Sequence, residues 1–310
     1  MSAMDERAGA TSPLPPATSP LHTSAQRRLG MAMIVAAALM WSTAGLFSRS
    51  LSLDLWTMQW GRAAFGALFM IALGWWEFRH RSLREFMALG PAGWIIVPLS
   101  ALGMFSYVAG LQLTTVANVM IVYATTPFVT AAVAWLWLGE RVTRRTVLAS
   151  ALAATGVIVM VVGSPAGADL LGSFMIFVMV VCFAAIICLA RKQPTVSMTP
   201  VNTFAAILCS AACFPLATPS SVTLYDVVVL AGFGFVTLGF ALVLFMRGAR
   251  YVPSAEAGLI SLLDTVVAPI LVWVFFAEKP SQAALLGGFI VLCAVLWHLV
   301  GRLREERQAP

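Results

Sequence analysis

Ten apolar runs of helix length follow one another along the 310 residues, centred near residues 30–48, 55–77, 92–111, 115–138, 146–163, 170–190, 200–217, 224–246, 254–276 and 283–301. A helix needs roughly 20 such residues to cross a hydrocarbon core about 30 Å thick. Charged side chains make up 10% of the chain and hydrophobic ones 60%, against about 25% charged in a typical soluble domain. The expected class is therefore an all-α integral membrane protein of ten transmembrane helices, with no soluble domain left over.

The segments outside the runs are short. Residues 1–28, with "TSPLPPATSP" at 11–20, hold too little apolar surface to fold and read as a disordered tail. The run "GMAMIVAAALMWSTAGLFS" from Gly30 is longer than the apolar core of a cleaved signal peptide, so it reads as a retained first span. The expected organisation is a tail over 1–28, a first five-helix repeat over 29–163, a second over 164–301, and a tail over 302–310.

The formal charge of +6 encodes orientation. Sixteen of the nineteen basic residues fall in alternate loops and the two tails, while the opposite loops keep Arg49 and Lys279, and Arg62 lies inside a run. By the positive-inside rule both termini are cytoplasmic, in the cell inner (plasma) membrane. A basic surface for nucleic acid is not expected.

The five cysteines all fall in apolar runs and read as small buried hydrophobes. Cys209 and Cys213 share a helix face, but their run offers no histidine or carboxylate to complete a metal site. No metal and no cofactor is expected. His22, His80 and His298 lie in the tail, in a basic loop and near the last helix end. None has a catalytic setting.

A weak internal repeat appears at a shift of 138. "GLQLTTVANVMIVYATTPFVTAAVAWLWLGER" from Gly110 lies over "GARYVPSAEAGLISLLDTVVAPILVWVFFAEK" from Gly248, pairing Ala117 with Ala255, Trp135 with Trp273 and Glu140 with Glu278. Five spans per half is an odd number, so the second half enters the membrane from the opposite side. The loops agree: "RVTRR" follows Glu140, whereas the nearly uncharged "KPSQA" follows Glu278. Opposite bias at matching loops is what inverted repeats require.

With "ATTPFVTAAVAWLWLGERVT" at 124–143, its counterpart "LLDTVVAPILVWVFFAEKPS" at 262–281, "AAALMW" in the first run and the two-times-five layout, the chain resembles the drug/metabolite transporter superfamily, specifically its EamA-like ten-span members. The resemblance covers residues 30 to about 301. One departure is Thr265, where the second repeat of many relatives has a proline matching Pro127. Pro269, four residues later, supplies a helix break instead.

Polar groups inside the runs are the site candidates. A charge at mid-bilayer costs about 2.5–3.5 kcal/mol on insertion scales and faces a partner or a wet cavity. At 1.5 Å per residue, Arg62 lies about 10 Å below one face and Asp264 about 16 Å below the other. In a core of about 30 Å their depths differ by only about 4 Å. The functional reading puts both on one central cavity, with Asp264 taking up the proton and Arg62 as its counter-charge or the seat of a substrate carboxylate. The structural reading is a neutralised pair locking two helices, or an Arg62 that snorkels toward Asp54.

The repeat sets Thr126 opposite Asp264 and Asn118 opposite Glu256, and at a shift of 143 it sets Asn202 opposite Gln59. Pseudo-symmetry would gather these at the midplane, although Glu256 near its helix start also suits capping, and Gln59 and Asn202 also suit a bond to a neighbouring helix. Trp41, Tyr107 and Tyr123 suit either stacking on a solute or packing between helices. Glu140 and Glu278 match the family's span-end glutamate and read as turn stabilisers. "GGFIVLCAVLWHLVG" and "GFGFVTLG" fit internal packing and a homodimer contact equally.

The expected function is secondary transport of a small-molecule substrate. Export of metabolites or amino acids by alternating access, coupled to protons, is the leading reading. Uptake or uncoupled uniport is the rival within transport, and a non-transporting interaction subunit the rival outside it. An enzyme is not expected, because no nucleophile, base and stabiliser converge.

Overall fold

Hydrocarbon offers no water to a peptide group, so a segment within it must satisfy its own backbone, and a helix does this alone. The protein, described from a computed structural model over residues 24–77, 89–139, 143–163, 168–193, 196–252, 257, 260, 261 and 263–308, is helical in every regular element among those residues.

In chain order the elements are α1 (Ser24–Ser42), α2 (Ala44–Ser50), α3 (Leu55–Glu77), α4 (Gly90–Leu113), α5 (Val116–Tyr123), α6 (Thr126–Leu138), α7 (Arg144–Val162), α8 (Ala168–Lys192), α9 (Met198–Cys213) and α10 (Leu224–Phe233). A π-helical turn, Gly234–Phe240, joins α10 to α11 (Ala241–Gly248); α12 (Leu263–Phe276) and α13 (Gln282–Gln308) follow.

Seven helical stretches are long and apolar enough to cross a membrane, among them Ala25–Ser50, which joins α1 to α2, and Leu224–Gly248, which runs through the π turn. Helix α3 has the length, at 23 residues, but Gln59 and Arg62 lower its apolarity. Leu263–Phe276 and Gln282–His298 are shorter apolar helices. The outer surface is apolar as well: Val162 is 79% exposed, Trp75 71% and Leu136 70%. Exposure on that scale suits a lipid solvent, since a soluble monomer rarely shows large contiguous apolar patches.

Among the described residues, three of the spans are interrupted. At the α1–α2 junction the Ser42 hydroxyl donates to the Ala38 carbonyl and the Thr43 hydroxyl to the Met40 carbonyl; such local bonds compete with the helix ladder and bend it. Between α5 and α6, the Thr125 and Thr126 hydroxyls donate to the carbonyls of Val122 and Tyr123, and Pro127 brings no N–H of its own. The π turn interrupts the third.

The packing pairs helices across the two halves. Helix α7 lies along α13, α3 along α9, and α5 along α12, so three first-half helices pack against their counterparts in the second half. The remaining contacts come in matched sets: α4 with α8 mirrors α1 with α11, and α4 with α9 mirrors α3 with the π turn. A twofold exchange of halves produces this pattern. Glycines permit the closest crossings. A Cβ on Gly156 would sit 2.7 Å from the Gly287 carbonyl oxygen, so the first glycine run of the last span packs internally, against α7.

Candidate functional site

The three interruptions border one cavity of about 390 Å³, within the size range of small-molecule sites. Trp41 reaches it from α1, Arg62 from α3, Tyr107 from α4 and Tyr123 from the end of α5; Asn202 comes from α9, Thr237 from the π turn and Asp264 from α12. Both halves contribute. Much of the remaining wall is methionine, including Met104, Met120 and Met179, whose unbranched side chains adapt to varied shapes.

Arg62 is 3% exposed. One terminal nitrogen, Nη2, donates to Thr237 Oγ1 at 3.4 Å, and the guanidinium carbon stands 4.6 Å from the Phe233 ring centroid and 5.7 Å from that of Tyr107. The aromatic faces partly compensate the cation. Its Nε and Nη1 have no hydrogen-bond partner. Asp264 is 5% exposed, its Oδ1 also lacks a partner, and the Ser42 hydroxyl faces its carboxyl. No ion pair joins Arg62 to Asp264. The two charges therefore border one space without neutralising each other, leaving donors on one side and an acceptor on the other.

The π turn accounts for part of this arrangement. Thr237 receives Arg62 on its hydroxyl, which itself donates to the Phe233 carbonyl at 2.6 Å, while the Thr237 carbonyl accepts the Trp41 indole N–H at 2.9 Å. π turns recur at functional sites because they re-aim backbone groups. Gly234, at the start of the turn, lets it approach α3: a Cβ there would meet the Arg62 carbonyl oxygen at 2.6 Å.

Of the residues named from the sequence, Arg62, Asp264, Tyr107, Tyr123, Trp41 and Asn202 line this cavity. Asn202 also donates to the Met198 carbonyl. Three others do not line it. Gln59 is buried one turn away and donates to Cys209 Sγ at 3.0 Å; Asn118 donates to Thr114 Oγ1 at 3.0 Å; Thr126 is bonded to the Tyr123 carbonyl. Glu256 and Glu140 lie outside the described residues. Asp54 is taken by Thr57, Thr218 and the N–H groups of Trp56 and Thr57, so Arg62 does not snorkel to it.

Two features depend on contacts distant in the chain. Thr237 was visible only as a polar residue within a glycine-rich apolar run. Glu278 does more than stabilise a turn: it binds Arg49 and accepts the Val116 N–H at the start of α5 at 2.7 Å. Among the described residues no group of His, Cys, Asp and Glu is arranged to hold a metal ion.

The family model described as the EamA-like transporter family matches residues 28–162 and again residues 170–300. The chain belongs to the EamA-like transporter family. A solved crystal structure 19% identical in sequence superposes on it with a TM-score of 0.63, covering 90% of this chain and 99% of that one; at that identity the likeness concerns the fold. No curated relative matches the sequence. As a family member the chain is a multi-pass membrane protein of a transporter family. Arg62 falls in the first matched copy and Asp264 in the second, so the cavity is composed of both EamA repeats.

Proposed function

We propose that the protein is a secondary transporter that exports small metabolites or amino acids by alternating access between two inverted five-helix halves, and that proton binding at Asp264 drives it. The observation that carries this reading is that Arg62 and Asp264 border one cavity without pairing to each other. A charge is tolerated at such depth when it serves an ion or substrate path. An Arg62 with two unengaged N–H groups suits a substrate carboxylate, and a substrate with an ammonium group meets Asp264 across the same space.

Coupling follows from competition. A proton and a cationic group of the substrate exclude each other at Asp264, so the gradient that loads one unloads the other. The cross-half pairing of helices, the discontinuous spans around the cavity and the opposite charge of matching loops support two inverted halves rocking about a central site. The bias of basic residues supports ten spans with both termini in the cytoplasm of an inner membrane.

The test is solute flux in proteoliposomes carrying the wild type or Asp264→Asn, with and without an imposed pH gradient. The expected result is gradient-driven flux by the wild type and gradient-independent, weakened exchange by the variant. Wild-type flux that ignores the pH gradient removes proton coupling, and a protein that moves no amino acid or metabolite in a broad screen removes the transport reading.

A further inference from the structure

A second hollow, of about 500 Å³, lies on the outside of the bundle between α5, α12 and α13. Its walls are almost wholly apolar, and its rim is open: Trp273 is 52% exposed, Ile270 48%, Leu285 62% and Phe289 66%. It begins at Lys279 and Pro280, in the turn between α12 and α13, and ends near Thr265 and Leu292. From Trp273 back to Thr265 on α12, or from Ala284 on to Leu292 on α13, the groove follows eight residues of helix, about 12 Å. That is close to the depth of a single leaflet, half of a core of about 30 Å.

We infer that this groove is a binding site for an anionic phospholipid, whose acyl chain lies along α12 and α13 while its phosphate rests on Lys279. Length and polarity select a lipid of one leaflet: an apolar trough that stops at mid-bilayer, headed by a cation at the level where headgroups sit. The charge is available. Of the two cations on this side, Arg49 is engaged by Glu278 and by the carbonyls of Leu111 and Thr114, whereas Lys279 is exposed and makes no ion pair among the described residues. Pro269 in the groove floor brings no N–H to the α12 ladder, and Gly288 keeps the α13 wall low, a Cβ there meeting the side chain of Ile121, another lining residue, at 3.2 Å.

The groove also shares a wall with the central cavity. Met120 borders both spaces, and Asp264 and Thr265, adjacent on α12, face one space each. An acyl chain in the groove therefore supports the stretch of α12 that holds the cavity's carboxyl in place.

The experiment is native mass spectrometry of the protein extracted from vesicles of equal phosphatidylglycerol and phosphatidylcholine, comparing wild type, Lys279→Gln and Gly288→Leu. The wild type is expected to retain phosphatidylglycerol in preference. Lys279→Gln is expected to lower that preference about fivefold, the worth of one lysine at a charged membrane surface, and Gly288→Leu, which fills the trough, to lower retention of both lipids. Lys279 is at the surface, so its variant tests the headgroup contact with folding unchanged. A preference unmoved by Lys279→Gln overturns the proposal, as do retention unmoved by a folded Gly288→Leu protein and a wild-type spectrum of lipid-free dimers joined through this face. None of these outcomes depends on transport.

Discussion

Arg49 and Glu278, 229 positions apart, meet at 2.6 Å and join the two halves at one end of the bundle. The guanidinium also donates to the carbonyls of Leu111 at 2.5 Å and Thr114 at 2.8 Å, and the second carboxylate oxygen accepts the N–H of Val116. Four chain segments thus converge on one pair: the ends of α2 and α4, the start of α5, and the turn after α12. The side chains are about one-fifth exposed, so solvent screens the pair less than a surface one.

A double-mutant cycle of Arg49→Gln and Glu278→Gln, read from thermal unfolding in detergent, is expected to give a coupling of about 1–3 kcal/mol, within the range for residues of one bonded network. Arg49→Lys is expected to lose most of the stabilisation despite keeping the charge, because an ammonium cannot reach a carboxylate and two carbonyls as a planar fork does. Additive single effects would show that the pair is incidental.

On the same side, Asp54 links the halves through hydrogen bonds. Its carboxylate accepts the N–H groups of Trp56 and Thr57, the Thr57 hydroxyl and the Thr218 hydroxyl. Partial burial pushes its pKa up, but the bonds from Thr57, Thr218 and Trp56 together outweigh this and hold it below its ordinary value of 3.8. A depressed folded pKa contributes stability above the unfolded value, about 3.9, and loses it as pH falls through the folded one. The melting temperatures of wild type and Asp54→Asn are expected to differ from pH 6 down to about pH 4 and to converge only as the pH falls further, through the folded pKa. A gap that stays constant on acidification would refute the assignment.

The helical class was legible in the sequence because hydrocarbon penalises charge, and the same penalty marked Arg62 and Asp264, which line one cavity. Facing was not legible. Asn118 lies two residues before Met120, and at about 100° per residue it turns away from the side of α5 that presents Met120 and Tyr123 to the cavity; it bonds Thr114 instead. Thr126 sits at a helix interruption, where its hydroxyl is occupied by the Tyr123 carbonyl. The contact of Arg49 with Glu278 was hidden because nothing near either residue in the chain indicates a partner in the other half.

Packing of the π turn on α3 depends on Gly234, where a Cβ would meet the Arg62 carbonyl oxygen at 2.6 Å and the Gly66 nitrogen at 2.8 Å. Backbone atoms cannot rotate aside as a side chain can. Gly234→Ala is therefore expected to destabilise the fold by about 1–3 kcal/mol, as overpacking does. At Gly232 the added carbon meets only the Phe47 ring edge, at 3.0 Å, and Gly232→Ala is expected to cost less. Equal losses in melting temperature would contradict a backbone crossing as the cause.

The transport reading also orders the effects of substitutions around Arg62. If the guanidinium seats a carboxylate with its unengaged Nε and Nη1, Arg62→Gln should raise KM for carboxylate-bearing solutes about tenfold or more, the worth of hydrogen bonds to a charged group. Thr237→Val removes one acceptor, bonded at 3.4 Å, but leaves the carbonyl that holds Trp41. Its effect should be a few-fold, in line with a neutral side-chain bond worth about 1 kcal/mol. Flux of solutes without a carboxylate, measured in the same proteoliposomes, should be less affected by Arg62→Gln than flux of those with one. An equal loss for both solute classes would mean that Arg62 holds α3 against the π turn and does not contact the solute.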